Sequence, residues 1–347
     1  MSKKTLLMLL TLMLSFSIIV VGCSSSNGGT NSQEQSQVPE ENKEQVQSTP
    51  KVRNFNIATA GTAGALYPMG VAMGETISKH SDVFKAGAQA SNGSVENIRN
   101  LGSGRVEMGI SQNEVAYFAY NGLDEYEENE VKQLRSLFGT VTSWVQVFVK
   151  ADSDINSISD FKGKRIGVGA PGSGGETASR RVLESYGISY DDIRPEYISD
   201  NEMVSALVDG TIDGFISTHP LNSAAMRNLV SSTKIRMLPV DNPSFYKKHP
   251  YYSMKEVPEG TYDGVSAINT ATSKVYMFTT AEQFTDDEIY EILTLIFDNR
   301  NEWVDVHKAL GQITLQSALD AVAVPLHPGA VKFFKERGVN VPSNMLP

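Results

Sequence analysis

FNIATAGTAGALYPMGVAMGETIS, residues 55–78, runs from a short β-type segment at 55–60 through glycine-rich chain into a helical segment at about 65–78. The connection, Gly61 to Ala65, consists of Gly, Thr and Ala. Such small residues let backbone N–H groups approach a ligand, and the helix that follows turns its positive end toward it. The scheme repeats downstream. Strands are expected at 83–90 and 108–110, helices at 94–101 and near 114–120, and a strand-rich stretch at 134–150 with alternation in WVQVFV, 144–149. Regular β-α-β spacing predicts parallel sheet with ligands at the carboxyl ends of the strands.

The pattern then restarts. A helical turn at 158–161 leads to a strand at 164–168, and Ser173 opens a helix to about Tyr186, with Gly187 just past its end. Strands at 196–198, 214–218 and 235–238 alternate with helices at 201–209 and 221–229. Residues 265–280 read as a strand returning to the first lobe. Thr285-Asp286-Asp287-Glu288 is a capping box opening a long amphipathic helix to about His307. Pro328 and Gly338 bracket a final helix.

The amino terminus is a different kind of sequence. Lys3 and Lys4 precede an uncharged, mostly apolar run at 5–21, which ends in Val20-Val21-Gly22-Cys23. This is the build of a lipoprotein signal peptide, residues 1–22, cleaved before Cys23, whose thiol then carries the lipid. Cys23 is the only cysteine of the 347 residues, so no intramolecular disulfide forms. Two or more acyl chains on it hold a protein firmly to a bilayer. Residues 24–51, rich in Ser, Gln, Asn and Glu and without an aromatic residue, complete a disordered tether over 23–51. Such an anchored protein is extracytoplasmic, on the outer face of the cell membrane, and suits a Gram-positive cell.

The folded part begins near Val52 and is long enough for two α/β lobes. The formal charge is −10, and loss of two lysines with the leader takes it to −12. Nucleic acid is excluded as a partner, because phosphate binding needs a basic face. A small anion is not, because a local site can oppose the global charge. No second hydrophobic run reaches membrane-spanning length.

Five loops carry candidate ligand contacts. Thr62, Gly64 and Tyr67 lie in the first, where Tyr67 adds an aromatic wall or packs as core. Ser91 and Asn92 lie in the second, followed by Ser94 and Asn97, which read as a helix N-cap pair. Gln112 and Asn113 follow the strand at 108–110 in a polar loop. Ser173 and Glu176 form a capping box around Gly174 and Gly175, whose amides make an anion site, and Thr218-His219 end another strand, with His219 able to meet a carboxylate. Residues 167–172, GVGAPG, match G-x-G-x-x-G after a strand, with Glu196 where a ribose-binding acid would sit. Pro171 stiffens that turn, the helix starts after it, and no Lys follows to meet a phosphate. There is no G-x-S-x-G elbow, no H-E-x-x-H and no metal-spaced cluster. The sequence thus points to a binding protein, not an enzyme, with no cofactor and no metal. A nucleotide-using enzyme built on 167–172 stays open as the alternative, as does a ligand-sensing lipoprotein that serves no permease.

Five stretches carry a family resemblance: GTAGALYPMG (61–70), QASNGSVENIRNL (89–101), ISQNEVAYFAYNG (110–122), DFKGKRIGVGAPGSGGE (160–176) and ITLQSALDAVAVPLHPGAVKFF (313–334). In order and spacing the chain resembles the TAXI-type solute receptors of TRAP transporters. The resemblance implies a type II periplasmic-binding-protein fold, α/β and two-lobed, with hinge strands and an interlobe ligand cleft. Lobe 1 would comprise 52–148 plus 265–347, and lobe 2 would comprise 149–264. It implies a monomer that captures a small carboxylate, glutamate-like or dicarboxylate, or an amino acid. The partner would be the membrane permease subunits of an ion-driven TRAP transporter. It carries Thr62, Gly64, Tyr67, Ser91, Asn92, Gln112, Asn113, Ser173, Gly174 and Thr177 into the pocket. The chain departs from the family at Leu66, where a second aromatic is usual, and at Thr218-His219.

Overall fold

The computed structural model describes residues 51–62 and 64–347. The leader at 1–22, Cys23 and the rest of the expected tether up to residue 50 lie outside the described residues.

The first lobe opens with β1 (Arg53–Ala58), α1 (Leu66–His80), β2 (Phe84–Gln89), α2 (Ser94–Gly102), β3 (Met108–Gln112) and α3 (Asn113–Asn121). In β1, Phe55 and Ile57 are buried while Asn54 and Asn56 are exposed, the period of a strand with one face on a core. In α1, Met69, Met73, Thr76 and Ile77 repeat at helical spacing and are buried against the sheet.

β4 (Leu134–Lys150) then carries the chain into a second α/β unit. That unit holds β5 (Arg165–Gly167), α4 (Gly174–Ser185), β6 (Arg194–Glu196), α5 (Asp200–Asp209), β7 (Gly214–His219), α6 (Ala224–Ser232), β8 (Ile235–Leu238), α7 (Pro243–Lys248) and β9 (Ser253–Val257). β10 (Ile268–Thr280) returns to the first unit, which α8 (Asp286–Asp298) and α9 (Pro328–Glu336) complete.

The strands form one sheet in the order β2-β1-β3-β10-β4-β7-β5-β6, with β8 also on β4 and β9 on β10. β1 pairs parallel with β2 and β3, and β5 pairs parallel with β6 and β7. The two parallel sets are linked through β10 and β4, which pair antiparallel with each other and with β3 and β7 respectively. The two parallel sets therefore run toward each other. The end of β3, Gln112, pairs with Val275, and the end of β7, His219, pairs with Trp144. Thr272 opposes Trp144 and Lys274 opposes Thr142, so both carboxyl ends arrive at the same level of the β4–β10 ribbon.

The cores divide at that level. On β4, Leu137, Phe138 and Val141 pack with the first lobe, whereas Val145, Val147 and Val149 pack with the second. On β10, Ala271 belongs to the second lobe's core, and Val275 and Met277 belong to the first lobe's. The crossing residues are Thr142-Ser143-Trp144 and Thr272-Ser273-Lys274.

Several expectations need correction. The helix expected to reach His307 stops at Asp298 and gives way to short 3₁₀ turns. Trp303, fully buried, folds back and donates its indole N–H to the Ile296 carbonyl at 2.8 Å, capturing an acceptor of the last turn. The strand expected to end at residue 110 continues through Gln112 and meets α3 without a loop. α7 and β9 have no counterpart in the sequence reading. β9 is an edge strand with four exposed residues and only Val257 buried, so it lacks the alternation that reveals a strand.

α9 docks on α8 through Gly329, where a Cβ would collide with the Asp286 carbonyl oxygen and lie 3.0 Å from the Ile289 side chain. Gly329→Ala is expected to lower stability by about 1–3 kcal/mol, the scale of an overpacked core position. Chemical denaturation of the variant beside the parent measures this, and an unchanged midpoint would refute the tight helix contact.

Candidate functional site

Where the two sets of strand ends face each other lies a cavity of about 320 Å³, within the usual range of small-molecule sites. Its floor is apolar, with Ile110, Val141, Ile216 and Val275 from the strands near the crossing. Its walls are polar. Thr62, Gly64, Ser91, Asn92, Gln112, Ser173, Gly174, Thr218 and His219, all expected contacts, line it together with Leu66.

Each wall is positioned by backbone bonds that its own sequence supplies. Ser91 Oγ donates to the Thr59 carbonyl (3.1 Å) and accepts from the Gly93 amide (3.0 Å), tying the second loop to the first. α1 begins without a side-chain cap, at the edge of the cavity. On the far wall Ser173 caps α4, its Oγ accepting from the Glu176 amide at 3.0 Å. The reciprocal half of the expected capping box is missing. Glu176 turns its carboxylate to the Tyr190 hydroxyl (2.8 Å) instead.

Ser94 is not a helix cap. Gly93, at φ +115°, is the N-cap of α2, and Ser94 Oγ accepts the Gln112 amide at 3.0 Å. Asn97, its expected partner, donates to the Thr59 and Ile110 carbonyls at 2.6 and 2.7 Å, holding β1 to β3. The first amides of α2 cross the cleft, as Val95 and Glu96 donate to the Gly172 carbonyl at 3.2 and 3.3 Å. The G-x-G-x-x-G loop thus faces the other lobe with its last glycine.

Three expected contacts lie elsewhere. Asn113 is buried and spends its amide on the segment opposite, donating to the Ala321 carbonyl and accepting from the Ala323 amide at 3.2 Å. Thr177, one turn into α4, is buried and does not line the cavity. Tyr67, half-buried on the first turn of α1, does not line it either.

Gln112 links the lobes within the cavity. Its side-chain amide lies 2.9 Å from Thr218 Oγ1. With its oxygen accepting from Thr218, its nitrogen reaches Glu114 Oε1 at 2.7 Å and the Gly174 carbonyl at 3.2 Å, which satisfies both ends. A Cβ on Gly174 would stand 2.5 Å from the end of that side chain and 2.8 Å from Ser94 Oγ, so any larger residue at the start of α4 displaces Gln112 or Ser94.

The cleft is flanked by further interlobe contacts. Asp124 meets Arg181 at 2.6 Å and Arg180 at 3.0 Å, and the Arg181 guanidinium lies 4.0 Å over the Phe118 ring. Burial would raise the Asp124 pKa, but the two guanidinium groups outweigh it and hold the carboxyl below its ordinary value. Glu114, fully buried, accepts from Tyr252 Oη at 2.8 Å and Ser273 Oγ at 3.3 Å. Burial raises its pKa against those hydrogen bonds.

Sequence reasoning missed Ser143, Ser199, Asp200, Asn201 and Ser223, which also line the cavity. Ser199 and Glu202 form a complete capping box at the start of α5, and Ser-x-x-Glu was the available signal. Asp200 Oδ1 lies 2.8 Å from His219 Nε2. Burial opposes both charges, yet each is held in place by the other: the Asp200 pKa falls and the His219 pKa rises. No group of three or more metal-type ligands occurs among the described residues.

The model of the NMT1-like family matches residues 57–338. Among solved structures, the binding protein component of an ABC phosphonate transporter from Pseudomonas aeruginosa is 12% identical, with 75% of this chain and 80% of that one covered and a TM-score of 0.50. A putative L-cystine ABC transporter protein from Listeria monocytogenes is 19% identical over 75% of this chain and 97% of that one (TM-score 0.47). The periplasmic aliphatic sulphonate binding protein SsuA from Escherichia coli is 14% identical over 84% and 90% (TM-score 0.44). The likeness to the first of these is one of fold, a two-lobed α/β architecture.

The ion pair has a pH signature. The stability it adds through His219, whose pKa is raised, is complete below 6.5 and lost as pH rises through the higher folded-state value. The part through Asp200 is complete above 3.8 and lost as pH falls through the lower folded-state value. A double-mutant cycle of Asp200→Asn and His219→Gln is expected to show a coupling of at most about 1 kcal/mol, because the pair is partly exposed. That coupling should be greatest between these limits, and one that grows above them would refute the assignment.

Proposed function

The chain belongs to the NMT1-like family, and on that premise we propose that it is an extracytoplasmic solute-binding protein that captures a small carboxylate and delivers it to a membrane permease. The ligand is glutamate-like or a dicarboxylate, and the permease is of the ion-driven TRAP type implied by the TAXI-like stretches. Lobe 1, 52–148 plus 265–347, and lobe 2, 149–264, close about the β4–β10 ribbon. A lipid on Cys23 keeps the lobes near the membrane face. The protein acts as a monomer and performs no reaction.

The observation that carries this reading is the cavity between facing strand ends, walled by helix starts and hydroxyls from both lobes. The carboxylate is received by the amides at the start of α4, where Gly174 and Gly175 leave the backbone approachable. The Ser143 hydroxyl fixes its orientation, since the Ser91 hydroxyl already donates to the Thr59 carbonyl and the Thr218 hydroxyl to Gln112. Fixed dipoles and charge-assisted hydrogen bonds take the place of water around the anion. Because the α2 amides already bond the Gly172 carbonyl, that helix start is spent on closure and not on the ligand.

Thermal denaturation with a panel of small carboxylates and amino acids tests the reading. A binding acid is expected to raise the melting temperature, by mass action on the folded state, and no shift across the panel would refute it. Ser173→Ala is expected to weaken binding of any hit and to cost about 1 kcal/mol of stability through the lost cap. Unchanged affinity in the folded variant removes Ser173 from the site. Gly174→Ala is expected to leave each lobe folded but to weaken binding, because its Cβ occupies the Gln112 position on closure. Wild-type affinity would show that the two lobes need not meet there.

A further inference from the structure

We infer that the Asp200–His219 pair sets the charge of the ligand: the cleft takes an acid bearing no more than one net negative charge and turns away a dianion. This deepens the proposed function by keeping its glutamate-like ligand and setting aside the dicarboxylate, and it rests on the cavity being the ligand site.

The inference begins with a census of charge. Among the described residues that line the cavity there is no Lys and no Arg, and the only ionisable side chains are Asp200 and His219. At 2.8 Å these two cancel when His219 is protonated and leave a net negative charge when it is not. No side chain therefore remains to neutralise a ligand. What positive potential there is comes from helix starts, each equivalent to roughly half a charge. Two of the starts at the cleft are already occupied. The α2 amides bond the Gly172 carbonyl, and α5 begins with Asp200 itself, followed by Glu202 in the same turn. The starts of α1, α4 and α6 are left, roughly one and a half charges in sum, and Glu176 in the first turn of α4 cancels part of that, so little more than one negative charge is balanced.

A second carboxylate has no favourable place. Toward the floor it meets Ile110, Val141, Ile216 and Val275, where an unpaired ion is heavily penalised. Toward the α5 wall it meets the Asp200 carboxylate, a like charge. A cationic group on the ligand meets the opposite situation there. It finds Asp200 as a partner and competes with His219 for it. Asp200 is thus a specificity-determining residue, and it lies outside every motif that drew attention to the cleft.

Calorimetric titration of the purified protein at neutral pH with butyrate, 4-aminobutyrate, glutamate and glutarate tests this, because the four acids are of similar length and differ in net charge. Glutarate is expected to bind at least about tenfold more weakly than the best of the other three, the scale of an uncompensated like-charge contact. Asp200→Asn, of the same shape, is expected to close that gap by about tenfold. His219→Gln leaves Asp200 without its counter-charge and is expected to weaken glutamate and butyrate while sparing 4-aminobutyrate. Glutarate as the tightest ligand of the parent protein, or a ratio unchanged in both variants, overturns the charge assignment and leaves the cleft reading standing. If none of the four acids binds the parent or either variant, the cleft reading falls and this inference falls with it.

Discussion

The antiparallel pairing of β4 with β10 is the constraint on which the rest of the molecule depends. Both strands are long, 17 and 13 residues, and each serves two cores in turn. Their pairing brings a parallel set of strands from each lobe to one level from opposite directions. In an open α/β sheet, ligands bind outside the carboxyl ends of strands. Here two such ends face each other, so the cleft follows from strand direction before any side chain is considered. Of the crossing residues, Thr142-Ser143-Trp144 and Thr272-Ser273-Lys274, only Trp144 packs against an apolar core, that of the second lobe around Phe148 and Phe215. The register shifts between Lys274 and Tyr276 and between Met277 and Phe278 lie just inside the first lobe.

The contacts that join the lobes are of kinds that can be exchanged. The Val95 and Glu96 amides bond the Gly172 carbonyl, Gln112 reaches Thr218, and Asp124 meets Arg180 and Arg181. Arg180 and Asp124 are partly exposed, and such a pair contributes little, about 0–1 kcal/mol, whereas Arg181 is buried and is held to Asp124 at 2.6 Å. The Tyr252–Glu114 bond is different, because Glu114 is fully buried and its loss would strand a carboxyl group. It lies beside Ser273 at the crossing.

Much of the architecture was legible because it is local. The alternation in 144–149, the capping box at 285–288 and Pro328 ahead of α9 are each set by near neighbours in sequence. Boundaries that tertiary contacts decide were not legible. α8 ends at Asp298 because Trp303 folds back on it, and Ser94 gives up capping because the Gln112 amide lies within its reach. The same limit applies to the site. Glycine-rich loops after strands pointed to Thr62, Gly64, Ser91, Ser173 and Gly174, which do line the cavity. Asn113 has the same polarity and the same kind of position, but its partner is a carbonyl more than 200 residues away. Asp200, just ahead of the helix expected at 201–209, drew no reading; only the fold brings it to His219. The transporter type and the lipid anchor on Cys23 are proposals that rest on the sequence alone.

The central claim is that a ligand acts by drawing the two lobes together across the β4–β10 ribbon. The most direct measurement is the distance distribution between spin labels at Glu75 on α1 and Asp191 in the second lobe, both exposed and both outside the cleft. Without ligand the distribution should be broad or double, and a saturating acid that binds should collapse it to one narrow component. A distribution identical with and without that acid would contradict the account.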